Sequence, residues 1–413
     1  MAPLNVIIIG GGISGSICAR VLREHHNVTI IERSNHERAY GNGVNLGPNA
    51  TKILDKLGFS TERAQTIILE KYRIIDSSGA LREDYDLRPY QEISEGRWYS
   101  LQWADMWHEF RRLALAPSEE LGISGRPATM IMGVKVVNVD VEKGEVFLEN
   151  GNKLEGDLII GADGIRSVLR SIVLGDRHDV GSTQEIGMTA FRFIMPAEHV
   201  EEAAGKLRVM DPEKPPCLDH YLALDGSKRK IIMYPCRNFK LLNAICMAPK
   251  LLVSGTAGEP WGTPGDGNHL ADCFSDFGEP CQALLQNVKE IKLYPMSDLV
   301  PLPTYIRGRA ILVGDAAHTL SPHQDQASSQ AIEDAEAFEL FNKDIDRSQI
   351  QDILKDIDRI RRPRAASLQQ TTRAALIDPK ESADPMRYLF YWTYPGIRQC
   401  LKNTDEGRQM MEI

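Results

Sequence analysis

The chain has 413 residues, enough for two or three domains at roughly 100–200 residues each. Apolar residues make up 42% and charged residues 25%, values that exclude a disordered, collagen-like or coiled-coil chain. A net charge of −9, from 57 acidic and 48 basic side chains, argues against a nucleic-acid partner, which would favour a basic patch.

The first apolar run, Val6 to Ile9, has no basic flank or cleavage site and is followed at once by glycines, so it reads as a strand and not a leader. Asn5 to Ile9 as strand, Ile13 to Arg23 at helical spacing and Val28 to Ile31 as a second strand make a βαβ unit in about 30 residues. A glycine-rich loop opens Gly41 to Leu57, and Pro48 starts a short helix there. Tyr72 to Asp76 reads as a strand that ends in a turn at Ser78-Gly79, and Trp103 to Ala116 has helical periodicity. The period then becomes two: Lys135 to Val141 and Val146 to Glu149 alternate, and Asn150-Gly151 is a hairpin signal. Asp157 to Ile160 is a buried strand. Residues 186 to 248 read as a mostly antiparallel sheet, with strands at Met188 to Met195, Tyr221 to Leu224, Lys230 to Met233 and Leu241 to Met247. Residues 254–267 read as a loop, 309–313 as a last buried strand, and helices are expected from about 326 and over about 347–376. No apolar run approaches the ~20 residues of a membrane span, and Met410-Met411-Glu412-Ile413 matches no targeting signal. Seven widely spaced cysteines without a CxxC point to neither a disulfide framework nor a zinc site, so a reducing, cytoplasmic setting is expected.

Three motifs carry chemistry. Gly10-Gly11-Gly12-Ile13-Ser14-Gly15 has the G-x-G-x-x-G spacing between a strand and a helix. Gly10 permits the tight turn, Gly12 lets a pyrophosphate approach the backbone, and Gly15 lets helix and strand pack closely. The helix N-terminus offers free N–H groups to phosphate, and Glu32, about 20 residues on, is placed to accept from a ribose hydroxyl. The second motif is Gly161-Ala162-Asp163-Gly164-Ile165-Arg166-Ser167. The third is Gly314-Asp315-Ala316-Ala317-His318, leading through Ser321-Pro322-His323-Gln324 into a helix. His318 and His323, five apart, lack a third ligand, so no metal site is expected.

In this order and spacing the three motifs resemble the flavoprotein monooxygenases of the aromatic-hydroxylase type, such as salicylate hydroxylase, and more closely the fungal members of secondary-metabolite pathways. Gly41-Asn42-Gly43-Val44, Tyr234-Pro235-Cys236-Arg237 and Pro301-Leu302-Pro303 are similar to further family segments. The resemblance implies an α/β fold: a Rossmann-like FAD-binding domain (1–77, 97–175 and 290–345), an inserted, mainly antiparallel substrate domain (78–96 and 176–289) and a C-terminal helical region (346–413). It implies FAD as cofactor, NAD(P)H and O2 as co-substrates, and an aromatic or other electron-rich small molecule as the compound oxygenated. FAD would be held by Gly10, Gly12, Gly15, Glu32, Arg33, Gly43, Val44, Arg111, Asp163, Asp315, Ala327 and Ser328. Arg192, with Phe191 and Phe193 on the opposite strand face, resembles the fungal family's substrate-facing arginine, and Tyr221 and Tyr234 join it as catalytic candidates.

Two departures stand out. Where the family reads Q-G-Q-G, this chain reads Gln324-Asp325-Gln326-Ala327, which adds a carboxylate and a methyl beside the expected flavin. Trp103 replaces a family arginine, and Arg111, eight residues on, is a candidate to compensate. Two readings stay open at this stage: FAD retained with family drift, or FAD weakened or lost, with a non-redox cyclase or isomerase on the same fold.

Overall fold

The computed structural model describes residues 2–35, 41–253, 262–321, 325–377 and 386–406. Pro322, His323 and Gln324, most of the 254–267 loop and the last seven residues lie outside the described residues.

The apolar runs that read as buried strands assemble one six-stranded sheet. Its order is Ile306–Arg307, Ala310–Leu312, Leu158–Gly161, Asn5–Ile9, Asn27–Glu32 and Thr129–Met132. All neighbours are parallel except the first pair. Near-continuous Val and Ile suit such a sheet because helices cover both its faces. The chain runs from Asn5–Ile9 to Asn27–Glu32 on one side and has Leu158–Gly161 on the other, so the central strand is a switch point. In open α/β sheets a crevice forms at such a point, at the carboxyl ends of the strands. All three glycine motifs follow strands at this edge. The Asn150-Gly151 turn, with Gly151 at φ 84°, joins Glu145–Leu148 to Lys153–Glu155 in a small three-stranded antiparallel sheet.

The second sheet has eight strands. From one edge they are Thr263–Pro264, Lys292–Leu299, Thr183–Pro196, Leu241–Pro249, Lys230–Cys236, Cys217–Leu222, Lys71–Asp76 and Leu81–Asp86. Only Cys217–Leu222 and Lys71–Asp76 pair in parallel. Lys71–Asp76 and Lys292–Leu299 fall outside the substrate ranges expected from sequence, 78–96 and 176–289, yet both pair into this sheet. The correction has a simple cause: strand periodicity marks a strand and its buried face, not its hydrogen-bonding neighbour. Alternation splits the sheet into two faces. Phe191, Phe193, Ile231, Met233, Ala244 and Cys246 form a core with residues of the helices Ala197–Ala204, Gly267–Cys273 and Glu279–Gln286. Ala190, Ile232, Tyr234, Ile245 and Met247 form another core, with Trp98 and Trp392, on the face turned toward the rest of the molecule.

The C-terminal region is more than a tail. The 28-residue helix Ile350–Ile377 sends Arg361 and Arg364 into the molecule against helix Ala327–Glu336. Arg364 Nε and a terminal nitrogen donate to the two oxygens of Glu333 at 2.6 and 2.8 Å, and Arg361 pairs with Glu333 and with Asp334 at 2.9 Å.

Candidate active site

The crevice holds two cavities that meet at Trp103, Ala327 and Ser328, which line both. The first is built by the glycine loop. Gly10 sits at φ 105°, and a Cβ there would lie 2.3 Å from the Ala162 carbonyl oxygen. A Cβ on Gly15 would lie 1.9 Å from the Gly10 carbonyl oxygen, so neither position admits a side chain. At Gly12 nothing lies within 4 Å of that point, which leaves open space at the start of helix Ile13–Leu22. No side chain caps that helix, so its first N–H groups stay available to an anion.

Glu32 ends its strand at the far end of the same cavity. Its oxygens accept from the Gly11 and Ser34 backbone N–H groups, each at 2.8 Å, which fixes the carboxylate and leaves further lone pairs for a ribose. Arg33 lines the wall beside it. Asp163 Oδ2 accepts from the Val168 and Leu169 N–H groups at 2.7 and 3.2 Å, and its buried Oδ1 has no partner among the described residues. Asp315 opens the short helix Asp315–His318 on the opposite wall, where burial raises its carboxyl against the pull of His318 and Arg170. Helix Ala327–Glu336 also starts without a side-chain cap and turns its N-terminus to the junction of the cavities. Phosphate-ready N–H groups, a fixed ribose acceptor and a second open helix end at the junction fit an extended dinucleotide such as FAD.

The second cavity, about 360 Å³, lies between Gly43–Leu46 and the inward face of the large sheet. Gly43 belongs there because its N–H donates to Asn243 Oδ1 at 2.6 Å and a Cβ would lie 2.6 Å from both the Asn243 and Tyr234 side chains. Val44 lines the cavity next to it. Arg192 donates to the Gly43 carbonyl at 2.8 Å, and its guanidinium lies 5.8 Å from the Tyr294 ring centre. Its Nε is buried with no partner among the described residues. Burial, then Cys236 and Asp325, push the Tyr234 phenol well above its usual range, with Arg192 opposing.

Asp325 reaches this cavity from the loop. Its backbone is left-handed, φ 51°, and its Oδ2 accepts from Asn45 Nδ2 at 3.2 Å. Burial raises its carboxyl to about 6, against Asn45, Arg192 and Lys230. Lys230, on the same strand face as Tyr234, is buried and lowered to about 8 by burial, with Asp325 opposing. The added carboxylate therefore sits among two cations, which the sequence alone does not show.

Two expectations need correction. Tyr221 is not a cavity residue: it pairs with Ile231 and packs with the helix-covered core, on the face opposite Arg192 and Tyr234. It is one residue out of phase with His220, whose neighbours Leu218 and Leu222 face inward. Arg111 does not take the place of the family arginine. Eight helical residues carry it roughly 12 Å along from Trp103, and it lies 5.3 Å from the Trp107 ring centre, lining neither cavity. The place beside Trp103 is filled by Trp107, stacked on it at 6.1 Å with its indole N–H donating to the Gly11 carbonyl at 2.8 Å.

Trp107, Arg166, Asn45 and Tyr294 are cavity residues that the sequence reading missed, as is Lys230, which lines neither cavity but acts on Asp325 from behind. Lys230 is the most legible of these, since it stands four positions before Tyr234 on one strand and equal parity means one face. His318 Nε2 lies 2.6 Å from Asp334 Oδ2, while His323 is outside the described residues.

The chain's relatives agree with this geometry. Residues 3–372 match the family described as FAD binding domain. Salicylate hydroxylase of Pseudomonas putida is 30% identical over 401 residues, covering 89% of this chain and 84% of that one. A protein of Diaporthe leptostromiformis named as an FAD-dependent monooxygenase is 28% identical over 387 residues, covering 91% and 92%. Among solved structures, a salicylate hydroxylase substrate complex superposes with a TM-score of 0.77 at 24% identity over 97% of both chains, a likeness of fold. With a family match across most of its length and a cleft shaped for the dinucleotide, the chain belongs to the FAD binding domain family and is an FAD-dependent monooxygenase.

Proposed function

We propose that the second cavity binds an electron-rich aromatic small molecule through a ring hydroxyl, held as its phenolate by Arg192. The observation that carries this reading is the Arg192 side chain: half-buried, fixed by Gly43 and Tyr294, with a buried Nε donor that finds no partner among the described residues. A buried unpaired donor costs free energy, and an anionic oxygen is its natural partner. Bound FAD, reduced by NAD(P)H, supplies the activation of O2. One oxygen atom goes to the ring and the other leaves as water. The chain's own residues hold the parts. Gly10, Gly12, Gly15, Glu32, Arg33, Asp163 and Asp315 would hold the dinucleotide, Gly43, Val44, Ala327 and Ser328 would receive its flavin end, and Tyr234 would stand beside the substrate oxygen. Trp103 walls the junction and Trp107 the first cavity behind it, and both would exclude water.

The non-redox alternative drawn from the altered loop finds no support, because the helix start at Ala327 remains uncapped and open to the cleft. No described helix is long and apolar enough to cross a membrane, and all seven cysteines are free thiols, which supports placement in a reducing, cytoplasmic compartment.

The test is Arg192→Gln, assayed by NAD(P)H oxidation and product formation over a panel of phenols and hydroxybenzoates. Loss of a charge-assisted hydrogen bond predicts turnover lower by roughly 10–100-fold with the bound flavin spectrum unchanged. Arg192→Lys restores part of it, since a point charge does not reproduce the planar fork. Wild-type turnover in the Gln variant would end this reading.

A further inference from the structure

The second cavity contains a group that holding a phenolate does not require. Asp325 stands on the loop before helix Ala327–Glu336, and its side chain reaches the same cavity as Arg192 and Tyr234. Among the described residues only one of its oxygens is engaged, Oδ2 with Asn45, and Oδ1 accepts no hydrogen bond. Asn45 is thereby oriented, with its own Oδ1 buried and unpartnered. The charged and titratable groups facing Asp325 come from two strands: Arg192 from Thr183–Pro196, and Lys230 and Tyr234 from Lys230–Cys236. Tyr294 of Lys292–Leu299 lines the cavity beside Arg192. Beyond Lys230 lies His220, whose Nδ1 is 2.6 Å from the Tyr72 hydroxyl and whose Nε2 is buried without a partner.

Arg192 lines the cavity and Lys230 acts on Asp325 from outside its lining, so two cations face the one carboxylate before anything binds. A phenol that enters carries a proton that must go somewhere when the oxygen becomes anionic beside Arg192. The nearby acceptor with a free oxygen is Asp325. Resting on the reading of the cavity as a phenol site, we propose that Asp325 is the catalytic base that takes the substrate's hydroxyl proton and keeps it within the site. The ring O–H bond breaks, its electron pair stays on the phenolate oxygen against Arg192, and a new O–H bond forms on Asp325. The electron-rich phenolate is the more reactive partner for oxygenation. The proton returns to the phenolic oxygen as product leaves, so the cycle closes without exchange with bulk water. Lys230 is a positioning residue here: its charge faces the carboxylate and holds it ionised before substrate arrives. A carboxyl raised to about 6 is ionised at neutral pH yet basic enough for the task.

The test needs no turnover. 3-Nitrophenol, still protonated in solution at about pH 7 and yellow only as its anion, is bound to the FAD-loaded protein and followed by difference absorbance. Protons exchanged with the buffer are counted by calorimetry in two buffers of different ionisation enthalpy. Wild type is expected to bind the dye as its yellow anion while releasing little or no proton. Asp325→Asn is expected to bind it as the same yellow anion with release of about one proton, because the internal acceptor is gone. Asp325→Gly suits the left-handed backbone and serves as a second variant with the same expected count. A yellow dye with about one proton released from wild type, a colourless bound dye, or variants that count like wild type would each overturn the proposal. Failure of the underlying reading appears elsewhere: Arg192→Gln would then bind the dye as tightly and as yellow as wild type. A dye that does not bind at all overturns both.

Discussion

Asp325 occupies a left-handed backbone position where glycine is usual and aspartate is among the few tolerated alternatives. Read from sequence, its carboxylate opposes the negative charge of a reduced flavin. In the structure Arg192 and Lys230 offset that effect, and burial moves its ionisation to about 6. The paired replacement Asp325→Gly with Ala327→Gly should therefore raise the flavin reduction potential, but only where Asp325 is ionised. Potentials measured across pH should differ most above about 6 and converge below it, as wild type takes up the proton. A difference independent of pH would assign the effect to Ala327 instead. The tyrosines show what a residue-level reading can and cannot reach. Tyr221 and Tyr234 are both strand tyrosines of one sheet, and nothing in their immediate neighbours separates them. Tyr234 faces the cavity because it lies on the inward side with Ile232, and Tyr221 packs, partly buried, behind the sheet because it lies opposite Ile231.

Among the elements, helix Ala327–Glu336 connects the site to the C-terminal region. Its N-terminus borders both cavities, while its body carries Glu333, Asp334 and Glu336. Glu333 is buried between Arg361, Arg364 and Asn49, and the two arginines hold its carboxyl below the usual range despite burial. Removing one partner of a buried ion pair strands the other, so Arg364→Ala should cost roughly 3–5 kcal/mol. Thermal unfolding would measure the loss, and limited proteolysis should open the segment around helix Ile350–Ile377 first. Unchanged stability would mean that the network contributes nothing net. The sign with pH follows: Glu333 and Asp334 both titrate below their ordinary values, so their stabilisation is complete above those values and is lost as pH falls through the lower ones. The helical pattern at 347–376 was visible in sequence, but its arginines looked like any solvated face until Glu333 appeared beneath them.

At the scale of the whole molecule, groups with opposite shifts shape stability against pH. Glu336, which accepts from the Tyr394 hydroxyl at 3.0 Å and the Ile397 N–H, is raised by burial to about 7 from an ordinary 4.5. A raised carboxyl favours the folded state while protonated, so folding loses stability as pH climbs from 4.5 toward 7 and Glu336 is forced to ionise. Thermal midpoints should fall over that range, and Glu336→Gln should flatten the decline; an equal slope in the variant would assign it to other groups. The sequence by itself determined the βαβ start, the glycine spacing with Glu32, the parallel sheet's strands and the family, because these depend on local steric needs and on hydrophobic period. It did not determine that Lys71–Asp76 and Lys292–Leu299 join the large sheet, that Trp107 and not Arg111 completes the wall beside Trp103, or that Asp325 meets Arg192 and Lys230. Those are contacts between residues far apart in the chain, and only the tertiary packing that brings strands, loop and helix end to one cleft decides them.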